Sequence, residues 1–241
     1  GTAGPEPVFV VFPYSAGTST PGNGTTVPPG GNAPMPLKQA MANEIGAVWG
    51  EAYQRSTRKL FLTSVVRRHS GFGPLGIGGI YAVTNPGLPN KTVSSFLNVS
   101  TIGIDVGNLT NATRNLPGDA TAFSGDGPAF AAVGKQGFGD ISIGEDDKTL
   151  WFINLNDRKL YSLVLPASGL PTAANVNSYT VPSPNCVGGN FRPWATKFYK
   201  GRVYVGGVCT AETSQNASDL KAVVYEFNPA NTTFTLYRCR L

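Results

Sequence analysis

Residues 138–166, FGDISIGEDDKTLWFINLNDRKLYSLVLP, contain three short runs of alternating apolar and polar residues, separated by two polar clusters. Ile141 and Ile143 lie two positions apart before the first cluster, and Trp151, Ile153 and Leu155 repeat that spacing after it. Alternation with period two, interrupted by Gly, Asp and Asn, is typical of antiparallel strands joined by tight turns. A meander of three or four strands is the unit of a propeller blade, so this stretch predicts an all-β β-propeller fold.

Two further stretches repeat the pattern. AVWGEAY, LFLTSVV, IYAVT and TVSSFLNVS follow one another in the first, and RPWATKFYKGRVYVGGV, KAVVYEF and TFTLYR in the second. We therefore predict four-stranded antiparallel blades with long connections, over about 47–100, 138–166 and 192–238, within one propeller domain or part of one spanning 1–241. Propellers usually contain about four to eight blades. We expect sequence outside these residues, or a neighbouring chain, to complete the ring.

The remaining segments are less regular. VFVVF at 8–12 predicts a buried strand, and 14–36, rich in Pro, Gly and Thr, predicts a surface loop or linker because it has little to bury. Residues 37–45 have helical spacing and predict a turn or two of helix. The chain begins with Gly1 rather than Met, so we expect a processed chain or a segment of a longer one.

The composition favours an extracellular β protein. Charged residues make up only 14% of the chain, and the net charge of +5 is scattered apart from one cluster at 67–69, so we expect no nucleic-acid binding. No apolar run is long enough to predict a membrane span. Asn-x-Ser/Thr acceptors are more numerous than this content of Asn, Ser and Thr gives by chance, which predicts a secreted glycoprotein; coincidence in Asn- and Thr-rich loops is the alternative. The seven acceptors are Asn23, Asn90, Asn98, Asn108, Asn111, Asn216 and Asn231.

The three cysteines are expected to be structural. Cys186 and Cys209 lie on either side of the strand pair 192–208, which could bring them together in a disulfide. Cys239 would then be unpaired within the chain or bonded to an outside partner; pairing of Cys209 with Cys239 is the competing arrangement. The cysteine spacing and the single histidine fit no zinc site, so we expect no cofactor or metal, with a structural calcium ion among the acidic residues as the alternative.

Several longer motifs carry a family resemblance. FPYSAGTS, VVRRHSGFGPLGIGGIYAV, VGKQGFGDISIGEDDKTLWFINLNDRKLY and GVCTAETSQNASDLKA are similar to segments of predicted β-propeller modules in large secreted or surface-anchored, adhesin-like proteins, mostly bacterial. The similarity covers nearly the whole chain and implies an extracellular propeller that continues through further blades. The acceptor sites, the 18–36 stretch and Cys239 depart from that pattern and favour a structural role in a larger assembly.

The side chains that could carry chemistry have simpler interpretations beside the functional ones. Arg67, Arg68 and His69 open a Gly-rich loop and are ligand-binding candidates that could hold a carboxylate or an anionic glycan; the alternative is that they fix their own loop. A glycosidase needs two facing carboxylates. The acidic candidates are Asp105, Asp119, Asp126, Asp140, Glu145, Asp146 and Asp147.

For two sets of side chains we favour structural roles. We expect the acids at 145–147 to cap their turn and face water, and Asp140 to make an inter-blade hydrogen bond. The tryptophans could stack on sugars, but we expect them to pack between blades; they are Trp49, Trp151 and Trp194.

From the sequence we therefore expect a non-enzymatic, glycosylated, extracellular or cell-surface module that works in adhesion or assembly. Its expected partners are other copies or domains of the same assembly and cell-surface glycans. The alternatives are a glycan-acting enzyme of the glycosidase or lyase type and a glycan-binding, lectin-like propeller.

Overall fold

The computed structural model describes residues 4, 6–12, 37–119 and 122–237. This part of the chain forms three four-stranded antiparallel sheets and one two-stranded sheet. The two-stranded sheet pairs β1 (Pro7–Val11) with β2 (Leu37–Met41). The first four-stranded sheet contains β3 (Val48–Gln54), β4 (Lys59–Ser64), β5 (Gly79–Thr84) and β6 (Thr92–Asn98). The second contains β7 (Phe138–Ile143), β8 (Thr149–Asn154), β9 (Lys159–Val164) and β10 (Val176–Thr180), and the third contains β11 (Phe191–Tyr199), β12 (Arg202–Cys209), β13 (Lys221–Asn228) and β14 (Thr233–Tyr237).

Within each four-stranded sheet the strands follow chain order, so each sheet is a meander. The first strands of the three sheets are neighbours, since β3 contacts β7 and β7 contacts β11. Sheets of this kind, stacked face to face around their first strands, are consecutive blades of a β-propeller. The predicted all-β propeller fold is confirmed, and the sheets are called blades 1, 2 and 3 in chain order.

Two apolar layers hold the blades together. Leu150 and Phe152 of β8 pack with blade 1, whereas Trp151 and Ile153 pack with blade 3. A strand buried on both faces reads as a continuous apolar run rather than an alternating one, which explains the sequence TLWFIN. Blade 2 therefore contributes side chains to both layers.

The connection between blades 1 and 2 is more than a loop. It contains two short helices, α2 (Asn111–Arg114) and α3 (Gly127–Ala132). Its buried apolar side chains join the layer between blades 1 and 2. These side chains are Ile104, Val106, Leu109, Ala129 and Ala132. The connection thus covers one end of that layer.

The N-terminal predictions need two corrections. β1 is not buried, because it pairs only with β2, and Val8 and Val10 are 36% and 38% exposed. The predicted helix over 37–45 is wrong for Leu37–Met41, where backbone pairing with β1 produces strand β2; only α1 (Ala42–Ile45) is helical. The pair β1–β2 covers the face of blade 1 that points away from blade 2. The predicted loop at 14–36 lies outside the described residues.

Blade 2 extends further than its predicted end at residue 166. Its fourth strand is β10, in a region that the sequence indicated only as a Pro/Asn-rich link. Tyr179 of β10 stacks against Trp151, with ring centroids 6.0 Å apart. This aromatic contact fixes a strand of only five residues whose own alternation is weak.

Each inner strand has a β-bulge at the same place. The first residue pairs after the bulges are Glu51–Leu62, Ile141–Phe152 and, in blade 3, Ala195–Gly206. A bulge re-aims the side chain that it contains. Trp49, at the bulge of β3, is 62% exposed, so the prediction that it belongs to the core between blades is wrong; Trp151 is buried as predicted, and Trp194 is partly buried against the layer between blades 2 and 3. Trp49 meets Trp194 edge-on at 6.2 Å, and a Cβ at Gly139 would lie 2.4 Å from the Trp194 carbonyl oxygen.

The layer between blades 1 and 2 depends on Phe152, which is fully buried, stacks on Tyr161 at 5.5 Å and meets Phe138 edge-on at 5.3 Å. Phe152→Ala should lower the free energy of unfolding by about 3–5 kcal/mol, because it removes the packing and leaves a cavity. The measurement is urea unfolding followed by fluorescence. Phe123→Ala is the matched control, since Phe123 is 95% exposed, and should change little. Equal losses for both variants would contradict the packing described above.

Candidate functional site

The turn between β7 and β8, residues 144–148, lies between the first turns of the neighbouring blades. Asp146 caps this turn itself: its Oδ1 accepts hydrogen bonds from the backbone N–H groups of Lys148 and Thr149, both at 3.0 Å. Short-range bonds of this type are typical of Asp in tight turns. Asp146 is also exposed, so the prediction that the acids cap their turn and face water describes it well.

Asp147 does something different, because it binds blade 1. Its two carboxylate oxygens accept from the backbone N–H groups of Arg55 at 2.9 Å and Ser56 at 2.7 Å, in the β3–β4 turn. Its carbonyl oxygen accepts from Nε2 of Gln54 at 2.8 Å. Burial alone would raise the pKa of Asp147, but the hydrogen bonds from Ser56 and Arg55 outweigh it and hold the pKa below its usual range. Asp147 therefore fixes the turn of one blade to the turn of the next.

Glu145 makes the corresponding contact with blade 3. Its Oε1 accepts from the backbone N–H of Lys200 at 2.9 Å, in the β11–β12 turn. A second bond lies one strand pair deeper, where the backbone N–H of Phe198 donates to Oγ of Ser142 at 3.0 Å. For Glu145 and Asp147, the prediction that the acids only cap their own turn is therefore wrong. No local pattern could show this, since the partners are 55 and more than 90 residues away in sequence.

Asp140 lies at the bulge of β7 and also bridges two blades. Its carboxylate accepts from the backbone N–H of Ile141 and from that of Thr196 in blade 3, which is the inter-blade bond expected from the sequence. Burial raises the pKa of Asp140, and these hydrogen bonds only partly oppose the rise.

A cavity of about 560 Å³ opens beside the 144–148 turn and is lined by all three blades. Its charged lining residues are Glu51, Arg55, Glu145, Asp147 and Lys197. The two carboxylates from the turn already accept main-chain hydrogen bonds here. Their arrangement is suited to joining blades rather than to general acid–base chemistry.

The ligand candidates at 67–69 lie on the β4–β5 loop, at the opposite end of the blades from the 144–148 turn. A buried ion pair fixes this loop: Nη2 of Arg114 lies 2.6 Å from Oδ2 of Asp126, and both side chains are fully buried. Arg114 also donates to the carbonyl oxygen of Arg67 at 2.7 Å, and Asp126 accepts from the backbone N–H of His69 at 2.7 Å. The hydrogen bond from Arg114 is the main reason why the pKa of Asp126 is lowered.

The sequence did not point to this ion pair. In the sequence, Asp126 is one of seven acidic candidates, and no motif marks Arg114 as its partner. One signal was present, since Arg114 is the only basic residue between Lys91 and Lys135. A lone charge in such a segment has few exposed partners and is a candidate for burial with an acid.

The three candidate side chains are not brought together. Arg68 donates to the carbonyl oxygen of Gly125 at 3.1 Å and lies 5.3 Å from the ring of Phe130, so it joins its loop to the connection between blades 1 and 2. Arg67 and His69 instead line a cavity of about 620 Å³, together with Glu6, Ser70 and Ser124. We call this the loop cavity.

The structure joins Cys186 to Cys209 in a disulfide, the first of the two pairings considered, and Cys239 lies outside the described residues. Asn90, Asn108, Asn216 and Asn231 are exposed, whereas Asn23 is not described. Asn98 and Asn111 are partly buried, and Asn111 exchanges two hydrogen bonds of 2.8 Å with the backbone of Phe72.

Within the described ranges, no three His, Cys, Asp or Glu side chains are grouped so that they could hold a metal ion. None of the helices described has the length and apolar character needed to cross a membrane.

Three curated proteins of Dictyostelium discoideum are similar to the chain. Colossin-A is 27% identical over 237 residues, Colossin-D 25% over 212 and Colossin-C 26% over 197. The alignments cover 95%, 86% and 81% of this chain, but only 2%, 20% and 18% of the relatives, so the chain spans at most a fifth of their lengths. No family model matches the chain.

Among solved structures, a streptogramin B lyase is similar at 11% identity and a TM-score of 0.27, covering 84% of this chain and 86% of the lyase. A TM-score this low adds nothing to the fold assignment, which depends on the order and stacking of the sheets.

Asp147→Asn should reduce stability by about 1 kcal/mol near neutral pH, because the amide keeps one acceptor oxygen for two backbone donors in a partly exposed site. The lowered pKa of Asp147 makes this stabilisation depend on pH. The contribution of the ionised carboxylate to the free energy of unfolding is complete above the ordinary pKa of 3.8 and is lost as the pH falls through the lower pKa of the folded state. The difference between the two proteins, measured by urea unfolding, should therefore vanish in acid.

Asp105→Asn is the control for this experiment. Asp105 is exposed, and among the described residues its carboxylate accepts only from Gly107 in its own loop, at 2.9 Å. Its substitution should change stability by less than about 0.5 kcal/mol. A difference for Asp147→Asn that persists unchanged at low pH would argue against an ionised carboxylate between the blades.

Proposed function

We propose that this chain is a structural β-propeller module of a larger extracellular protein, glycosylated, and working in adhesion or assembly through its blade surfaces. The main support is the outer face of blade 3. The strands of the three blades pair in the same register, so each residue of one blade has an equivalent in the other two. The residues on the face that each blade turns toward the following blade can therefore be compared. In blade 1 they are Phe61, Ile80 and Leu97; in blade 2, Trp151, Leu160 and Tyr179; in blade 3, Tyr204, Val224 and Tyr237.

These positions are apolar or aromatic in every blade. In blades 1 and 2 most of them are buried against the following blade, with Ile80 and Leu160 fully so. In blade 3 none of the same positions is buried: Tyr204 and Val224 are partly exposed, and Tyr237 is 49% exposed. Exposed patches of this kind are typical of protein interaction sites. The outer face of blade 3 is therefore suited to pack against another sheet.

The polar groups of this face are already paired with one another. Oε2 of Glu226 accepts from the hydroxyl groups of Tyr204 at 3.0 Å and Tyr237 at 3.2 Å, and Oε1 lies 3.5 Å from Nε of Arg202. Burying a polar group costs less free energy when the group keeps a hydrogen bond within the protein. These internal hydrogen bonds therefore lower the free-energy cost of packing another protein surface against the outer face of blade 3.

Three further observations support an extracellular module. Disulfides such as Cys186–Cys209 are typical of oxidising compartments. Four described acceptor sites are exposed, as attached glycans require. The similar Dictyostelium proteins are several times longer than the aligned stretch, as is expected when such a stretch is one module among others.

The proposal gives the acids of the 144–148 turn a structural role. Glu145 and Asp147 each accept main-chain hydrogen bonds from a neighbouring blade. A carboxylate that acts as general acid or base must instead exchange protons with a substrate, and one that acts as nucleophile must reach the sugar. A glycan-acting enzyme would therefore need other residues.

The test uses the natural protein as its own cells make it, with Val224→Arg in the middle of the outer face of blade 3. If another sheet covers this face, the arginine should remove the assembled species or lower the unfolding temperature, because its charge would be buried without a partner. Light scattering after gel filtration and calorimetry measure both. Val133→Arg is the control, since Val133 is 41% exposed and lies in the connection before blade 2. Indistinguishable variants would rule out a role for this face.

A further inference from the structure

We propose that the loop cavity binds an acidic saccharide, with Arg67 and His69 holding its carboxylate. Both residues line the cavity, whose volume of about 620 Å³ falls within the range of about 300–1,000 Å³ typical of small-molecule sites. This site is separate from the outer face of blade 3, so the inference does not depend on the proposed assembly role.

The turn that presents these side chains is held rigidly. Arg114 fixes the carbonyl group of Arg67 and Asp126 fixes the N–H group of His69, so a buried ion pair holds the backbone on both sides of Arg68. The ring of Phe72 lies 5.1 Å from the Arg114 guanidinium and completes the support. A buried ion pair is a weak source of stability, whereas it defines a geometry well. Binding to a turn that is already ordered costs less conformational entropy.

The backbone of His69 is held in an unfavourable region. Its φ is +63°, and Asp126, which accepts its N–H, has a φ of +41°. His69 is one of eleven described non-glycine residues with positive φ, a conformation that such residues adopt mainly in tight turns. His69 is exposed and, like Arg67, lines the cavity.

Arg67 supplies the group that a carboxylate needs. In the described part of the chain its guanidinium makes no ion pair, unlike Arg114, Arg192 and Arg202. A guanidinium can form two parallel hydrogen bonds with one carboxylate. Arg67 is exposed and can turn toward a ligand without breaking an existing pair.

The rest of the wall favours a saccharide over a simple anion. Glu6 also lines the cavity, and its carboxylate would repel a second negative charge but can accept hydrogen bonds from hydroxyl groups. Ser70 and Ser124 add hydroxyl groups that can donate or accept. Apolar wall residues, among them Val8, Leu116 and Pro117, can contact the C–H groups of a sugar ring. A sugar that carries one carboxylate and several hydroxyl groups is complementary to these lining residues.

The experiment measures binding of the chain to glucuronate- and galacturonate-containing disaccharides by calorimetry, with the corresponding neutral glucose and galactose disaccharides as matched ligands. The acidic disaccharides should bind and the neutral ones should bind at least about tenfold more weakly. Arg67→Gln should lower the affinity for the acidic ligands by about tenfold or more, because it removes a charge-assisted hydrogen bond. His69→Asn should also weaken binding, and Asn tolerates the positive φ at this position.

Arg68→Gln is the control variant, because Arg68 bonds to Gly125 and does not line the cavity. It should bind the acidic disaccharides as the unchanged protein does, and the unfolding temperature of each variant reports whether the loop remains folded. Three results would overturn the inference: no binding of any saccharide, equal binding of acidic and neutral ligands, or unchanged affinity in folded Arg67→Gln. If inorganic phosphate binds as tightly as the uronates, the cavity is a site for simple anions and the inference of a saccharide ligand is wrong. None of these results bears on the outer face of blade 3.

Discussion

The hydrogen bonds that the 144–148 turn makes with both neighbouring turns set the arrangement of the blades. The apolar layers on either side of blade 2 supply most of the attraction, but such packing is not directional. Asp147 and Glu145 add direction, because each carboxylate meets backbone N–H groups at defined places in blades 1 and 3. Blade 2 thus positions the two other blades, through the hydrogen bonds of its polar turn as well as through the apolar layers on its two faces.

The opposite end of the blades is organised by a second carboxylate with main-chain partners. Asp126 accepts from Arg114 and from the backbone of His69, and the pair is fully buried. A buried ion pair contributes little net stability and therefore needs another explanation. Its effect on the 67–70 turn provides one, because it presents Arg67 and His69 at a cavity while Arg68 points elsewhere. One end of the molecule holds blades together, and the other presents a shaped polar surface.

Local sequence patterns predict the blades well, because alternation and turn residues act over short distances. They fail where distant contacts decide the structure. Leu37–Met41 has helical spacing but becomes a strand through pairing with β1, and β10 is defined by the contact of Tyr179 with Trp151. The exposure of Trp49 follows from a bulge that no residue pattern marks. The site shows the same limit, since the bonds made by Asp147 and the pair Arg114–Asp126 join segments that are far apart or lack any regular spacing.

Hydrogen exchange at the backbone amides of Arg55, Ser56 and Lys200 tests the central role of the 144–148 turn most directly. These amides belong to exposed turns, where exchange is ordinarily fast. Because their acceptors are the carboxylates of Asp147 and Glu145, they should exchange slowly, at rates approaching those of the buried strand β8, when followed by NMR. Exchange at the rate of free turn amides would show that blade 2 does not hold its neighbours through these groups and would contradict the account.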